Sequence, residues 1–145
     1  MEFAASIIAV IQLARSISEI CGQYINKVKS GKQEILQFRR QIDGLHEVLQ
    51  PLHSLLEDSN SVDYLTNTRA LLNEVSQCCS ILKDLRERID PKMAQKKRER
   101  LKNRLRNGLK IAFRWPLDRN EVVQAIETIE QYRSRFSFAL QLDLT

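Results

Sequence analysis

The residues best suited to chemistry in this chain are few, and they do not converge. His46 and His53 stand seven positions apart. On a helix that spacing puts them on one face, two turns and about 10.5 Å apart along the axis. That is too far to share a metal ion, and the one carboxylate four residues on, Glu57 after His53, completes no ligand set, so both read as polar positions flanking a core stripe. Cys21, Cys78 and Cys79 are odd in number, with two adjacent, which is no disulfide framework. All three fall on apolar helical positions, the pattern of buried thiols in a reducing compartment; acylation of the Cys78–Cys79 pair is the alternative. There is no HExxH, no paired CxxC and no Walker or Rossmann glycine motif. Four glycines in the whole chain give little material for a phosphate-cradling loop. The acidic residues are scattered on helix exteriors. The expectation is therefore a chain without catalytic, cofactor or metal site, one that binds a surface rather than turning over a substrate.

Charge is the chemistry that remains. Residues 92–114 hold ten basic side chains (Lys92, Lys96, Lys97, Arg98, Arg100, Lys102, Arg104, Arg106, Lys110, Arg114) against the single acid Glu99, so this stretch carries +9 while the chain as a whole carries +5. A basic block on a mildly acidic body marks contact with a polyanion. Nucleic acid and anionic lipid are the two candidates. Readers of nucleic acid offer polar base-reading side chains or spaced aromatics, and this stretch has neither. It has a narrow stripe, Leu101, Leu105 and Leu109, and an apolar cluster at its end, Ile111, Phe113 and Trp115, which suit a membrane interface. Lys96, Lys97, Arg98, Arg100, Lys102, Arg104, Arg106 and Lys110 are thus the candidate contacts to anionic lipid, at about 1 kcal/mol each; nucleic acid ranks below.

The elements that must position these groups are all helical. The first helix spans about 3–28, with Val10, Leu13, Ile17, Ile20 and Tyr24 as a core stripe at 3-4 spacing. Its first half, residues 3–14, also carries Ile7, Ile8 and Ile11 and is apolar nearly all round; a helix of that kind is wrapped by neighbours or lies in lipid. Ser30 and Gln33 form a capping-box pattern for a second helix ending near Asp58. Ile35, Phe38, Ile42, Leu45, Leu49, Leu52 and Leu56 repeat along it as a bundle seam, with a kink expected at Pro51. A third helix is predicted over 61–89, its seam made of Tyr64, Thr68, Leu71, Val75, Cys78, Leu82, Leu85 and Ile89. Matching seams joined by a short loop predict that the second and third helices form an antiparallel hairpin. Asp90-Pro91 reads as an N-cap with proline at the first helical position, opening a basic helix. Asp118 with Glu121 forms another capping box for a last helix over about 119–142, with Val122, Ile126, Ile129, Phe136 and Leu140 inward.

The fold class is therefore all-α, an antiparallel bundle of four to five long helices in a single domain, 1–145. Proline and glycine are too scarce for a β-sandwich or a disordered tail. No apolar run reaches the ~20 residues of a dedicated spanning helix, and Met1-Glu2 lacks the basic region of a secretory signal, so the N-terminal segment reads as retained. The chain stops one step past its last helix, the pattern of a domain boundary, and 1–145 reads as the N-terminal part of a longer protein.

Several stretches carry a family resemblance. The opening Met1-Glu2-Phe3-Ala4-Ala5-Ser6-Ile7-Ile8-Ala9-Val10-Ile11-Gln12, the stretch Asp43-Gly44-Leu45-His46-Glu47-Val48-Leu49, the junction Arg114-Trp115-Pro116-Leu117 followed by Glu121-Val122, and the ending Tyr132 … Phe136-Ser137-Phe138-Ala139-Leu140-Gln141-Leu142-Asp143 together resemble the fungal HeLo-like domain. They occur in the expected order over nearly the whole chain. The resemblance implies the N-terminal domain of a fungal NLR-like receptor or of an amyloid-controlled executor, similar to the helical bundles of HET-S and of the mixed-lineage kinase domain-like necroptosis executor. It implies regulated cell death by oligomerisation, then membrane targeting and permeabilisation by the N-terminal helix. The membrane-active element maps onto Phe3, Ile7, Ile8, Val10 and Ile11. The implied partners are an anionic phospholipid membrane on activation, further copies of the chain, and a regulatory C-terminal domain or NLR partner. The implied location is the cytoplasm at rest and the plasma membrane when active. Two further expectations stand beside this one: a non-lytic docking or autoinhibitory module of such a receptor, and a nucleic-acid binder.

Overall fold

The computed structural model describes residues 3–56, 66–92 and 114–144. Five helices lie within them: α1 (Phe3–Lys27), α2 (Lys32–Leu56), α3 (Thr66–Arg69), α4 (Leu72–Ile89) and α5 (Arg119–Leu144). The protein is an all-α bundle in which successive long helices reverse direction.

Local chemistry explains most of the boundaries. Gly31, at φ +80°, holds a conformation that a side chain disfavours, and its carbonyl accepts the N–H of Ile35. The glycine, not Ser30, therefore stands at the start of α2. Pro51 does not end α2, which continues to Leu56. Before α5, Asp118 and Glu121 form the reciprocal box: the Glu121 N–H donates to Asp118 Oδ1 at 2.8 Å and the Asp118 N–H to Glu121 Oε1 at 3.3 Å. Asp90 likewise accepts the Lys92 N–H at 3.0 Å, as an N-cap one residue before proline should.

The helix expected over 61–89 is interrupted. α3 ends at Arg69, Ala70 and Leu71 turn, and α4 begins at Leu72. The Asp143 carboxylate takes the N–H groups of Asn67 and Thr68 and so caps a separate short helix. Leu71, expected in the seam, lies half-buried at the turn, where its carbonyl accepts the N–H of Val75.

A second difference concerns topology. α2 and α4 barely meet among the described residues; both pack on α1, α2 also packs on α5, and the α4–α5 contact is lighter. Each predicted seam is buried, Ile35, Phe38, Ile42, Leu45 and Leu49 on α2 and Val75, Leu82 and Leu85 on α4, yet the two do not form one hairpin. α1 is apolar on more than one side and takes the place between them. α1 and α4 run parallel, with Tyr24 and Ile89 meeting near their C-termini: the Tyr24 hydroxyl donates to the Ile89 carbonyl at 2.8 Å.

α5 packs along α2 in parallel. Arg133 lies across Gly44, so close that a Cβ there would meet its guanidinium at 2.7 Å. The core face of α5 is Val122, Ala125, Ile129, Tyr132, Phe136, Ala139 and Leu140, with Ile126 half-buried beside it.

Candidate functional site

α1 is long and apolar enough to cross a membrane, and among the described residues it is the one helix that is; a buried core helix meets the same description. Its exposed stripe is narrow: Ala5, Gln12, Arg15, Glu19, Gln23, Asn26 and Lys27. Of the five residues assigned to membrane insertion, Ile7, Val10 and Ile11 are buried in the core, while Phe3 and Ile8 are half-buried. The structure thus brings the five together on the first turns of one helix, on two sides of it. The basic candidates Lys96, Lys97, Arg98, Arg100, Lys102, Arg104, Arg106 and Lys110 lie outside the described residues.

Polar contacts grip α1 from both neighbours. From α2, Arg39 Nε donates to Ser18 Oγ at 3.1 Å. Its guanidinium lies over Gly22, where a Cβ would make ordinary van der Waals contact with it at 3.4 Å. From α4, Arg86 Nε donates to Ser16 Oγ at 2.9 Å. With the Tyr24–Ile89 bond, these tie the C-terminal half of α1 while leaving its first half to apolar packing. Ser6 is the exception there: it is fully buried and its Oγ has no hydrogen-bond partner, a state that costs about 1–3 kcal/mol.

The end of the bundle where α1 finishes is closed by aromatics. Trp115 packs edge-on against Tyr24, centroids 5.0 Å apart, and against Phe38 at 5.8 Å. Ile89 and Trp115, which bracket the basic stretch, thus both meet Tyr24. Arg88 pairs with Glu121 across α4 and α5. These contacts were not legible beforehand: neither Ser16, Ser18, Arg39 nor Arg86 carries a local sequence signal.

Among the described residues no group of three or more His, Cys, Asp or Glu has metal-binding proximity. His46 is half-buried with Nε2 unpartnered. Burial pushes the Cys78 thiol up to about 12, with a smaller push from Cys79, so it holds its proton and is a poor nucleophile. An open groove of about 490 Å³ runs between α2 and α5 past Val48, Pro51, Leu140 and Leu144. Phe138, Leu142 and Leu144 on α5 are exposed.

A family model described as the N-terminal region of pigment biosynthesis cluster protein PigL matches residues 1–143. No curated protein and no solved structure matches the chain.

Proposed function

The chain belongs to the PigL N-terminal family; from the HeLo-like resemblance and the placement of α1 we propose that the domain targets and permeabilises membranes in regulated cell death. It rests in the cytoplasm as the bundle described above. Oligomerisation, driven by a regulatory partner or C-terminal domain, releases α1, whose first half enters the plasma membrane. The basic stretch supplies the electrostatic attraction to anionic lipid. No catalysis is involved.

One observation carries this reading: the one helix among the described residues that is long and apolar enough to cross a membrane is also the one held between two others. Isoleucines at 7 and 11 gain about 1.5–3 kcal/mol each from leaving water, in a core or in lipid alike. Moving α1 from one to the other therefore costs its apolar face little. What resists release is the uncovering of the apolar faces of α2 and α4 that α1 covers, together with three polar ties, the two arginine–serine bonds and the Tyr24–Ile89 bond, at about 1 kcal/mol each. Residues 3–14 reach about 17 Å at 1.5 Å per residue, half of a ~30 Å hydrocarbon core. The inserted part thus occupies one leaflet unless the polar half of α1, with Arg15 and Glu19, follows.

The test is leakage of dye from vesicles containing anionic lipid, on oligomerised protein. The half-buried positions are the ones to change, because a charge at buried Ile7 or Ile11 would unfold the bundle as well. Phe3→Gln with Ile8→Glu should keep the melting curve and lose most of the leakage. Leakage equal to the parent's, or none from the parent, would sink the proposal.

A second reading has its own support. Phe138, Leu142 and Leu144 stay exposed on α5, as they would on a docking or autoinhibitory module that meets a protein partner. That module would not float with anionic vesicles at any salt concentration. The family description sets its namesake in a pigment biosynthesis cluster, which favours neither reading.

A further inference from the structure

The join between α2 and α5 carries a face of its own. The Gln41–Glu130 bond and the Gly44–Arg133 contact, both spanning 89 positions, fix the register of the two parallel helices. That register sets Phe138 level with Leu49, next to Val48. Two open grooves meet along the join. One passes Arg133, Ser134 and Phe138, the other Glu47, Pro51 and Leu144, and Val48, Ser137 and Gln141 line both. The face turns away from α1: Val48 follows Arg39, which holds α1, by nine residues, or about 180° around the helix. Two of its charged side chains lack a counterpart. Arg133 is half-buried across Gly44, and Glu47 is exposed one turn further on. Neither has a hydrogen bond or ion pair among the described residues. The other charges here are Arg40 and Arg135 against Glu127 and Glu130, the last of which accepts Gln41 Nε2. Asp43 lies toward α1, close enough to act on Cys21. With Arg133 and Glu47 counted, three positive side chains meet three negative ones, so the face is neutral as a whole.

We infer that two copies of the resting bundle pair through this α2–α5 face about a two-fold axis. A neutral face of mixed charge suits a copy of itself better than a polyanion. An isologous contact presents the same patch twice. With its axis between Arg133 and Glu47, the pairing sets Arg133 of each copy against the partner's Glu47, so one rotation gives all four groups a counterpart. Val48 and Phe138 lie within about one turn of that axis and form the apolar centre, where Phe138, 64% exposed in the single bundle, is covered. The grooved face runs from Arg133 to Leu144, about 16 Å at 1.5 Å per residue. That is short for a permanent interface, so the pairing is reversible. It joins bundles whose α1 stays in place, and the inference therefore goes beyond the membrane reading without resting on it.

The experiment is sedimentation equilibrium of the purified protein over a range of concentrations, at low and high salt. The parent should pass reversibly from monomer to dimer as concentration rises, and less readily at high salt. Arg133→Glu and Glu47→Arg each set like charges together at both contacts, and each should pair about 100-fold more weakly. An equimolar mixture of these two variants places a glutamate against an arginine at both contacts, and it should pair as the parent does. Unfolded protein would not be rescued by mixing. Phe138→Gln, at an exposed position, should weaken pairing about tenfold and leave the melting curve unchanged. A parent that stays monomeric overturns the inference and leaves the face to a protein of another kind. Single variants that pair like the parent overturn it, and so does a mixture that stays monomeric. Dye leakage is read separately on the same variants, so a failure of pairing and a failure of the membrane reading are told apart.

Discussion

The side chain of Asp143, on the last turn of α5, accepts two hydrogen bonds from Thr68: its N–H at 2.7 Å and its hydroxyl at 2.5 Å. Asn67 adds two more, from its N–H and its side-chain amide. One carboxylate thus fastens the end of the chain to the connection between the second and fourth helices. Partial desolvation works to raise this carboxyl, and the bonds from Thr68 and Asn67 outweigh it and hold it below the usual carboxylate range.

Asp143→Ala should therefore destabilise the bundle by about 1 kcal/mol at neutral pH, the scale of a lost helix cap. Because the folded carboxyl titrates low, its contribution is full above the ordinary carboxylate value and is lost as pH falls through the lower folded value. The gap between parent and variant in thermal melts should be constant above about pH 5 and close as the pH drops below about 4. A gap that persists in acid would show that the aspartate acts by packing instead of charge.

Ser6→Ala should stabilise the resting bundle. The hydroxyl is buried without a partner, and its removal relieves about 1 kcal/mol, or about 3–4 °C in melting temperature for a domain of this size. The same change should raise the threshold for dye leakage, since α1 is then better held. An unchanged or lower melting temperature would mean that Ser6 is satisfied in solution.

Arg39→Ala and Arg86→Ala act in the opposite sense. Each removes one bond to α1, from α2 and α4 respectively, at about 0.5–1 kcal/mol, and the two should add because they lie on different helices. Amide hydrogen exchange should show the loss of protection concentrated in α1. Protection lost evenly over the bundle would place the two arginines in general packing.

The thiols report on the same event. Cys21 is fully buried on α1 and Cys79 is half-buried on α4. Alkylation of the resting protein should modify Cys79 first and spare Cys21. With anionic vesicles and oligomerised protein, Cys21 should become reactive as α1 leaves the core. Continued protection of Cys21 while dye leaks would mean that membranes are breached with α1 still in place.

How much of this was readable in advance depended on the range of the interaction. The Asp118–Glu121 box and the Asp90 cap are local, so spacing alone placed them. The apolar seam on α2 is fixed by helical period, and every position from Ile35 to Leu52 in it is buried. The cap on α3 was not legible, because the group that supplies it is Asp143, far along the chain. Pairing of seams was likewise ambiguous: period tells which face of α2 or α4 is apolar but not which helix will cover it, and a first helix with apolar side chains on two sides outcompeted the expected hairpin. Tyr132 and Ala139 were missed on α5 because the core face there is wider than one stripe.

Architecture gives the placement of α1 a further meaning. Two walls that lean on a third member and hardly on each other form an arch, and the member between them is its keystone. A keystone is not withdrawn by degrees. Were α1 to leave, Ile35, Phe38 and Ile42 on one wall and Val75 and Leu82 on the other would lose their cover together, so the penalty would arrive all at once. Such a device sets a threshold: below it the structure stands unaltered, and above it the structure comes down in a single act.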